Sequence, residues 1–402
     1  MSKQKINRRQ MLGSAAAAGA AGAAGLLAAG AAPAAAPAPA PANVDPPFPD
    51  LGAAQAPTIT DFKNKVCYIT GGSSGIGLGI AQALHEKGAK VILGNIDDKQ
   101  FADALKKFPP NDPRVATVVH DVMKREAWEA KADEIERIFG PVDILVNNAG
   151  VGLQAGLTGT YNDWDWGMGV NFWGPVYGIK TFVPRMRARN TGCHIVTTTS
   201  TSGVLVGLNV GIYAVSKIAA TGLMEQLRND LRTTNIGTST LIPGLTQTNI
   251  GQSETHRPEE LKNAPAPAAA RAGGPGAGGA RAGGPGAGGP GAGGQRAGGA
   301  GAAAAPAAPT SPFWARPQDP VTVGRIVVDG ILNNDLFIFP APEYRQGVLA
   351  RAYSMIDSMV PFVPFPANVE QGIANNQYLF TPMYTQEVAH RRATRKRNIQ
   401  GV

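Results

Sequence analysis

The stretch KVCYITGGSSGIGLGIAQALHEKG (65–88) constrains this chain more than any other. Its first six residues are a β-branched apolar run of strand length, and its last fourteen put Ile76, Ile80 and Leu84 on one stripe of a helix. Between them, TGGSSGIG (70–77) places glycines where a strand turns sharply into a helix. Gly71 permits the tight turn, Gly75 lets the backbone come close to a phosphate, and Gly77 allows the helix to pack on the sheet. The N–H groups opening such a helix form an anion site. A nucleoside-triphosphate loop is excluded, because no Lys-Ser/Thr pair follows. A glycine cluster alone fits any strand-to-helix turn, so the rest of the chain decides.

The rest repeats the alternation. KVIL (90–93), RVATVVH (114–120), VDILVNNAG (142–150), CHIVTTTS (193–200) and GTSTLIPG (237–244) read as further strands separated by helical segments. This is an α/β pattern, a Rossmann doubly wound parallel sheet with helices on both faces. At residue 264 the pattern stops. Residues 264–312 are Ala, Gly and Pro with an occasional Arg, and RAGGPGAGG recurs at 271 and 281. Glycine is not at every third place, which excludes collagen. With almost no large apolar residue to offset ordering entropy, the segment reads as a disordered Gly/Pro/Ala-rich insertion. A helix (320–334) and a strand (336–340) then resume the fold, and a helix is expected from 342 to 360. The domain reading is therefore a catalytic unit over 57–263, the insertion, completion of the fold over 313–360, and an extension over 361–402 with a basic end.

Residues 1–42 read as an address and linker. Arg8 and Arg9 precede Met11 and Leu12, and a weakly apolar run (14–32) follows in which Leu26 and Leu27 are the strong hydrophobes. This resembles a twin-arginine export signal, implying a periplasmic or secreted protein with no integral membrane segment once processed. An uncleaved N-terminal anchor is the alternative, although Ala and Gly contribute little insertion energy. The net charge is +8, but twelve cations sit at the two ends and in the Gly/Pro tract, which leaves −4 for everything else. The folded part thus has no basic face for a phosphate backbone, and nucleic acid is excluded. The two cysteines, Cys67 and Cys193, lie in or beside apolar runs and can build neither a disulfide framework nor a metal cluster.

GIYAVSK (211–217) sets Tyr213 and Lys217 four positions apart. On a helix, positions i and i+4 share a face, so the Lys217 ammonium can sit near the Tyr213 ring. An unperturbed tyrosine, with a pKa of about 10, is a poor base at neutral pH, and a nearby cation is expected to lower it. Singly, each candidate has an ordinary reading: Tyr213 a half-buried helix aromatic, Lys217 a solvated charge, Ser200 a strand-end hydroxyl, Asn171 a helix-kink or capping residue. Their joint appearance after a glycine turn in a βαβ pattern favours chemistry, with Tyr213 as general acid/base.

The glycine turn, NNAG from 147 and Tyr213-x-x-x-Lys217 together resemble the short-chain dehydrogenase/reductase family in its classical form. The resemblance runs from about 62 to 250 and resumes from 317 to 341. It implies that Ser200 hydrogen-bonds the substrate oxygen and that Asn171 holds a water linking Lys217 to solvent. It also implies a dinucleotide site built from Gly71, Ser73, Ser74, Gly75, Ile76, Gly77, Asn95, Asp121, Val122, Asn148, Ala149, Gly150, Pro243, Gly244, Thr246 and Thr248, with Tyr213 and Lys217 completing it. By the same analogy the protein is a homodimer or homotetramer assembled through the helix bearing Tyr213.

Cofactor preference is set where the second strand ends. Asn95 holds the place of an acidic residue, neither Ser74 nor Ile96 is basic, and Asp97 and Asp98 repel a 2′-phosphate. The expectation is NAD over NADP. Val151, Gly152, Leu153, Gln154, Val204, Leu205 and Val206 are expected to line an apolar pocket, which suits a hydrophobic secondary alcohol or ketone. Core packing is the competing reading for the valines. Two alternatives stay open: an extended nucleotide-sugar epimerase or dehydratase, and a non-catalytic nucleotide-binding protein on the same frame.

Overall fold

The computed structural model describes residues 53–207, 210–264, 317–359 and 383–394. The export-signal region, most of the Gly/Pro/Ala tract and the basic end beyond Thr394 therefore lie outside the described residues. Seven strands form one parallel sheet: β1 (Val66–Thr70), β2 (Lys90–Asn95), β3 (Val115–Val119), β4 (Ile144–Asn147), β5 (Cys193–Thr198), β6 (Ile236–Leu241) and β7 (Phe337–Ile338). Their order is β3-β2-β1-β4-β5-β6-β7, so the direction of winding reverses between β1 and β4. At such a reversal the crossovers leave on opposite faces and a crevice opens at the carboxyl ends of the strands.

The two faces follow the period-two alternation of the strands. Cys67 and Ile69 of β1 and Val91 and Leu93 of β2 pack under α1 (Gly75–Glu86) and α7 (Pro320–Leu332). Val66, Tyr68 and Ile92 face the other way, toward α3 (Trp128–Phe139), α5 (Gly174–Arg189) and α6 (Gly211–Leu231). Both cysteines are free and buried, as small hydrophobes are. Two small helices complete the middle of the chain, α2 (Phe101–Leu105) and α4 (Tyr161–Met168). No helix among the described residues is long and apolar enough to cross a membrane.

Two elements depart from expectation. The last strand shrinks to Phe337 and Ile338, because Pro340 has no N–H to extend the ladder. The following helix opens with a 3-10 turn at Pro342–Tyr344 before α8 (Arg345–Ile356) begins. A further helix, α9 (Met383–Thr394), covers the approach to β7: Arg391 donates to the Phe337 carbonyl at 2.9 Å, and Glu387 accepts from Leu336 N at 3.2 Å.

Candidate active site

Between β1 and α1 the backbone takes positive φ at Gly71 (62°) and Gly75 (50°), a region that favours glycine. A Cβ on Gly71 would lie 2.9 Å from the Ala149 Cα, and one on Gly75 would press on Thr248 at 3.0 Å. Gly77 lets the start of α1 close down on the strand ends. Its Cβ would meet Asn148 Nδ2 at 2.4 Å and the Gly71 carbonyl at 2.3 Å, so the missing side chain makes room for a bridge within the turn itself. That bridge is Asn148, whose amide donates to the Thr70 and Gly71 carbonyls at 3.1 and 3.2 Å. The Thr70 hydroxyl accepts from Asn148 N and Ala149 N, which ties the ends of β1 and β4 together across the crevice. Close packing of α1 on its neighbouring helix falls to Gly79, where a Cβ would lie 2.1 Å from the Pro320 carbonyl of α7.

The crevice continues as a cavity of about 1070 Å³. It is lined by Gly71, Ser73, Ser74, Gly75, Ile76, Asn95, Asp121, Val122, Asn148, Ala149, Gly150, Ser200, Tyr213, Lys217, Pro243, Gly244, Thr246 and Thr248. The site residues drawn from the sequence converge there, apart from Gly77 beneath the turn and Asn171 behind Gly150. A Cβ on Gly150 would sit 3.3 Å from Asn171 Oδ1 and 3.4 Å from Lys217 Nζ, so both side-chain ends crowd that glycine.

Asn171 lies in a π turn, Gly169–Trp173, between α4 and α5. Such a turn breaks the regular helical ladder and recurs at functional sites. Asn171 is 1 % exposed, accepts from Val151 N at 2.9 Å, and donates to the Val151 carbonyl and the Ser216 hydroxyl, both at 3.0 Å. Ser216 in turn donates to the Tyr213 carbonyl at 2.7 Å. The loop after β4 is thereby locked to the first turns of α6.

On α6, Lys217 is 3 % exposed and donates to the Thr198 carbonyl at 3.1 Å, while its ammonium stands 5.7 Å from the centre of the Tyr213 ring. Ser200, just past β5, accepts from Ser202 N at 3.1 Å and shares a hydrogen bond with the Tyr213 hydroxyl. One expectation is corrected here. Burial raises the Tyr213 phenol above its usual value, only partly offset by Ser200, and no lowering by Lys217 enters. Burial instead acts on the cation, bringing Lys217 down to about 8. In this enclosed site desolvation of the charged forms outweighs the field one side chain exerts on the other.

At the rim facing α2, the Asn95 amide donates to Ser73 Oγ at 2.5 Å and to Gln100 Oε1 at 3.1 Å, and its own oxygen accepts from Ile96 N. Asp121 and Val122 border the same end beside His120, which hydrogen-bonds the buried Tyr68 hydroxyl at 2.6 Å and is held near 4 by burial. Among the lining residues no arginine appears, and Lys217 is the sole lysine.

At the opposite end the walls are Val151, Trp166, Val170, Leu205, Val206 and Tyr344. Of the expected pocket residues, Leu153 turns away to pack on Gly167 in the core, and Gly152 donates its N–H to Ser253 at 3.0 Å rather than facing the cavity. Gln154 and Val204 are not among the lining residues. The segment after β6 contributes Ile250, Gln252, Ser253 and His256, as expected of residues 245–260, whereas Trp166 and Tyr344 were not foreseen. Tyr344 reaches the site from past β7, and no local motif marks it.

The comparisons agree with this geometry. A family model described as short chain dehydrogenase matches residues 65–259. The chain is 30% identical over 315 residues to a C alpha-dehydrogenase of Sphingobium sp. strain SYK-6, covering 78% of this chain and 92% of that one. It is 30% identical over 210 residues to a CLA biosynthesis dehydrogenase/reductase of Lactiplantibacillus plantarum, covering 52% and 73%. Among solved structures, a short chain dehydrogenase/reductase from Burkholderia phymatum in complex with NAD superposes with a TM-score of 0.60 at 28% identity, over 77% of this chain and all of that one. A short-chain dehydrogenase structure from Novosphingobium aromaticivorans gives 0.60 at 27% identity, over 83% and 99%.

Proposed function

The chain belongs to the short-chain dehydrogenase family, and from that premise we propose that it is an oxidoreductase moving hydride between NAD and a neutral, hydrophobic secondary alcohol or ketone. The observation that carries this reading is the meeting of Ser200, Tyr213 and Lys217 at one wall of a cavity whose other end is a glycine turn opening a helix.

The residues present fit a nicotinamide dinucleotide. The bare turn at Gly71 and Gly75 with the N-terminus of α1 suits the pyrophosphate, flanked by Ser73, Ser74 and Ile76. Asn95 would hold a ribose, Asp121 and Val122 the adenine end, and Asn148 to Gly150 with Pro243 to Thr248 the nicotinamide half, all of them lining the cavity. When bound, the nicotinamide supplies or takes the hydride. NAD rather than NADP is favoured by the absence of arginine among the lining residues and by the neutral Asn95–Ser73–Gln100 cluster at the ribose rim. The Burkholderia relative's complex with NAD points the same way.

The chain's own residues supply proton transfer and orientation. Ser200 holds the substrate oxygen beside the Tyr213 hydroxyl, which gives or takes the hydroxyl proton. Lys217, fixed by Thr198, provides the cation that favours the phenolate as that proton leaves. Asn171 and Lys217 flank Gly150, and a water relay past them carries the proton to solvent, as the family resemblance implies. The apolar far wall and the lack of a second lysine or arginine favour an uncharged substrate over a sugar phosphate or thioester-carried acid.

The test is a screen of hydrophobic secondary alcohols and their ketones with NAD(H) and NADP(H), after identifying any nucleotide that co-purifies. Alcohol-dependent NAD reduction supports the reading; turnover confined to nucleotide sugars would sink it.

Arg8, Arg9 and the run after them support export by the twin-arginine route, which carries folded proteins and so permits cofactor loading before export. Fusing residues 1–42 to a reporter should export it, and replacing both arginines by lysine should stop that. Assembly as a homodimer or homotetramer is the accompanying proposal, checked by light scattering.

A further inference from the structure

We propose that Arg257 is a positioning residue: by gripping α4 at Asp163 and Trp166, it fixes the segment 246–263 over the substrate end of the cleft. The inference rests on reading that end as the place where an alcohol or ketone binds.

The segment leaves β6, passes the glycine turn at Thr248, crosses the cavity through the Ile250–His256 turn and reaches α4. Two of its fastenings bear on the substrate end. Ser253 accepts from Gly152 N at 3.0 Å and donates to the Ile250 carbonyl at 2.6 Å, which joins the turn to the loop after β4. Arg257, 7 % exposed, pairs with the Asp163 carboxylate, and its guanidinium lies 4.6 Å from the centre of the Trp166 ring.

Asp163 is fully engaged. Its Oδ2 closes the capping box of α4, accepting from Thr160 N at 2.8 Å and the Thr160 hydroxyl at 2.9 Å. Its Oδ1 takes Arg257 and the Asn263 amide, the latter at 2.8 Å. Burial pushes this carboxyl up, but the hydrogen bonds from Arg257, Asn263 and Thr160 leave it below the usual carboxylate range. One carboxylate thus starts the helix with one oxygen and holds the crossing segment with the other. Trp166, one turn along, is a wall of the cavity, and Pro258, next to Arg257, lines it too.

An exposed ion pair in this place would contribute little, but here both charges are buried, and loss of Asp163 leaves Arg257 with only the exposed Glu254 at 3.6 Å as a charge partner. Lysine cannot replace the arginine, because it offers neither the planar fork nor a guanidinium face for the indole. The grip lies away from the glycine turn and from Lys217, and the segment touches the ribose rim only side-on, through the exposed His256–Gln100 hydrogen bond at 3.2 Å. Loss of the grip therefore loosens the substrate wall and leaves the dinucleotide contacts of α1 in place.

Two variants and two readouts test this. Arg257→Lys keeps the charge, and Asp163→Asn keeps an oxygen for the Thr160 cap while setting an amide N–H against the guanidinium. Each should raise the alcohol KM tenfold or more, with kcat and the NAD dissociation constant within threefold of wild type. The double variant should be little worse than either single, because both remove one interaction. Amide hydrogen exchange across 250–263 should quicken at least tenfold in each variant, with α6 unchanged. Unchanged KM and unchanged exchange in folded variants would overturn the proposal, as would additive losses in the double variant. If the wild type shows no Tyr213-dependent turnover at all, the functional reading fails, and hydrogen exchange alone decides whether Arg257 holds the segment.

Discussion

Lys217 and Tyr213 carry the account at the scale of single residues, and burial governs both. The lysine cation is held near 8 and the phenol above its ordinary value, so the pair starts fully protonated at neutral pH and gives up its first proton near 8. That proton belongs to the coupled pair rather than to one residue. Ketone reduction needs the fully protonated pair and should fall as pH rises through about 8, whereas alcohol oxidation needs one proton gone and should rise there. In Lys217→Arg the cation persists at all accessible pH, so any residual activity should lose this inflection; initial rates in both directions on either side of pH 8 check it. The ribose rim yields a second residue-scale expectation. Ile96 is 43% exposed on the cavity beside Asn95, so Ile96→Arg offers a 2′-phosphate the cation the site lacks. It should shift the kcat/KM ratio toward NADP by about tenfold or more, as one charge-assisted bond allows.

Elements fix where those residues meet. β1 and β4 are laced by Thr70 and Asn148, α6 is pinned through Ser216 and Asn171, and α1 lies against α7 with Gly79 facing the Pro320 carbonyl. Gly79→Val forces a side chain into backbone 2.1 Å away. It should cost about 1–3 kcal/mol or more, the range for overpacking, as read by urea unfolding, and should slow turnover by displacing the glycine turn. Strand runs, the glycine turn and the four-residue Tyr/Lys spacing were legible in the sequence because each is local and periodic. What was not legible depends on distant packing. Leu153 sits in a run that could face cavity or core, and the bare Gly167 makes the room in the core that it fills. Arg257 reads as a surface charge until α4 brings Asp163 and Trp166 to it. Tyr344 enters from beyond the last strand, and the upward shift of Tyr213 comes from an enclosure that residue spacing does not encode.

At the scale of the molecule, the sheet and its helices hold the cleft, while the Gly/Pro/Ala tract joins two anchored points. Before it, Asn263 is bound to Thr160 and Asp163 of the α4 cap; after it, Gln318 pairs with Leu245 and Gln247. Both anchors are made by residues outside the tract. Replacing 265–312 with a Gly/Ser linker of half the length should therefore leave turnover and the melting temperature nearly unchanged. Loss of nucleotide binding in that variant would show that the tract belongs to the site. The central claim is narrower still: the Tyr213 hydroxyl exchanges a proton with the substrate beside a bound nicotinamide. Its most direct test is Tyr213→Phe, assayed for alcohol-dependent NAD reduction and, in the same preparation, for NADH binding by fluorescence. The account predicts a loss of about 10²–10⁴-fold in turnover, as for a removed general acid/base, with binding retained. Turnover near the wild-type rate in that variant would contradict it.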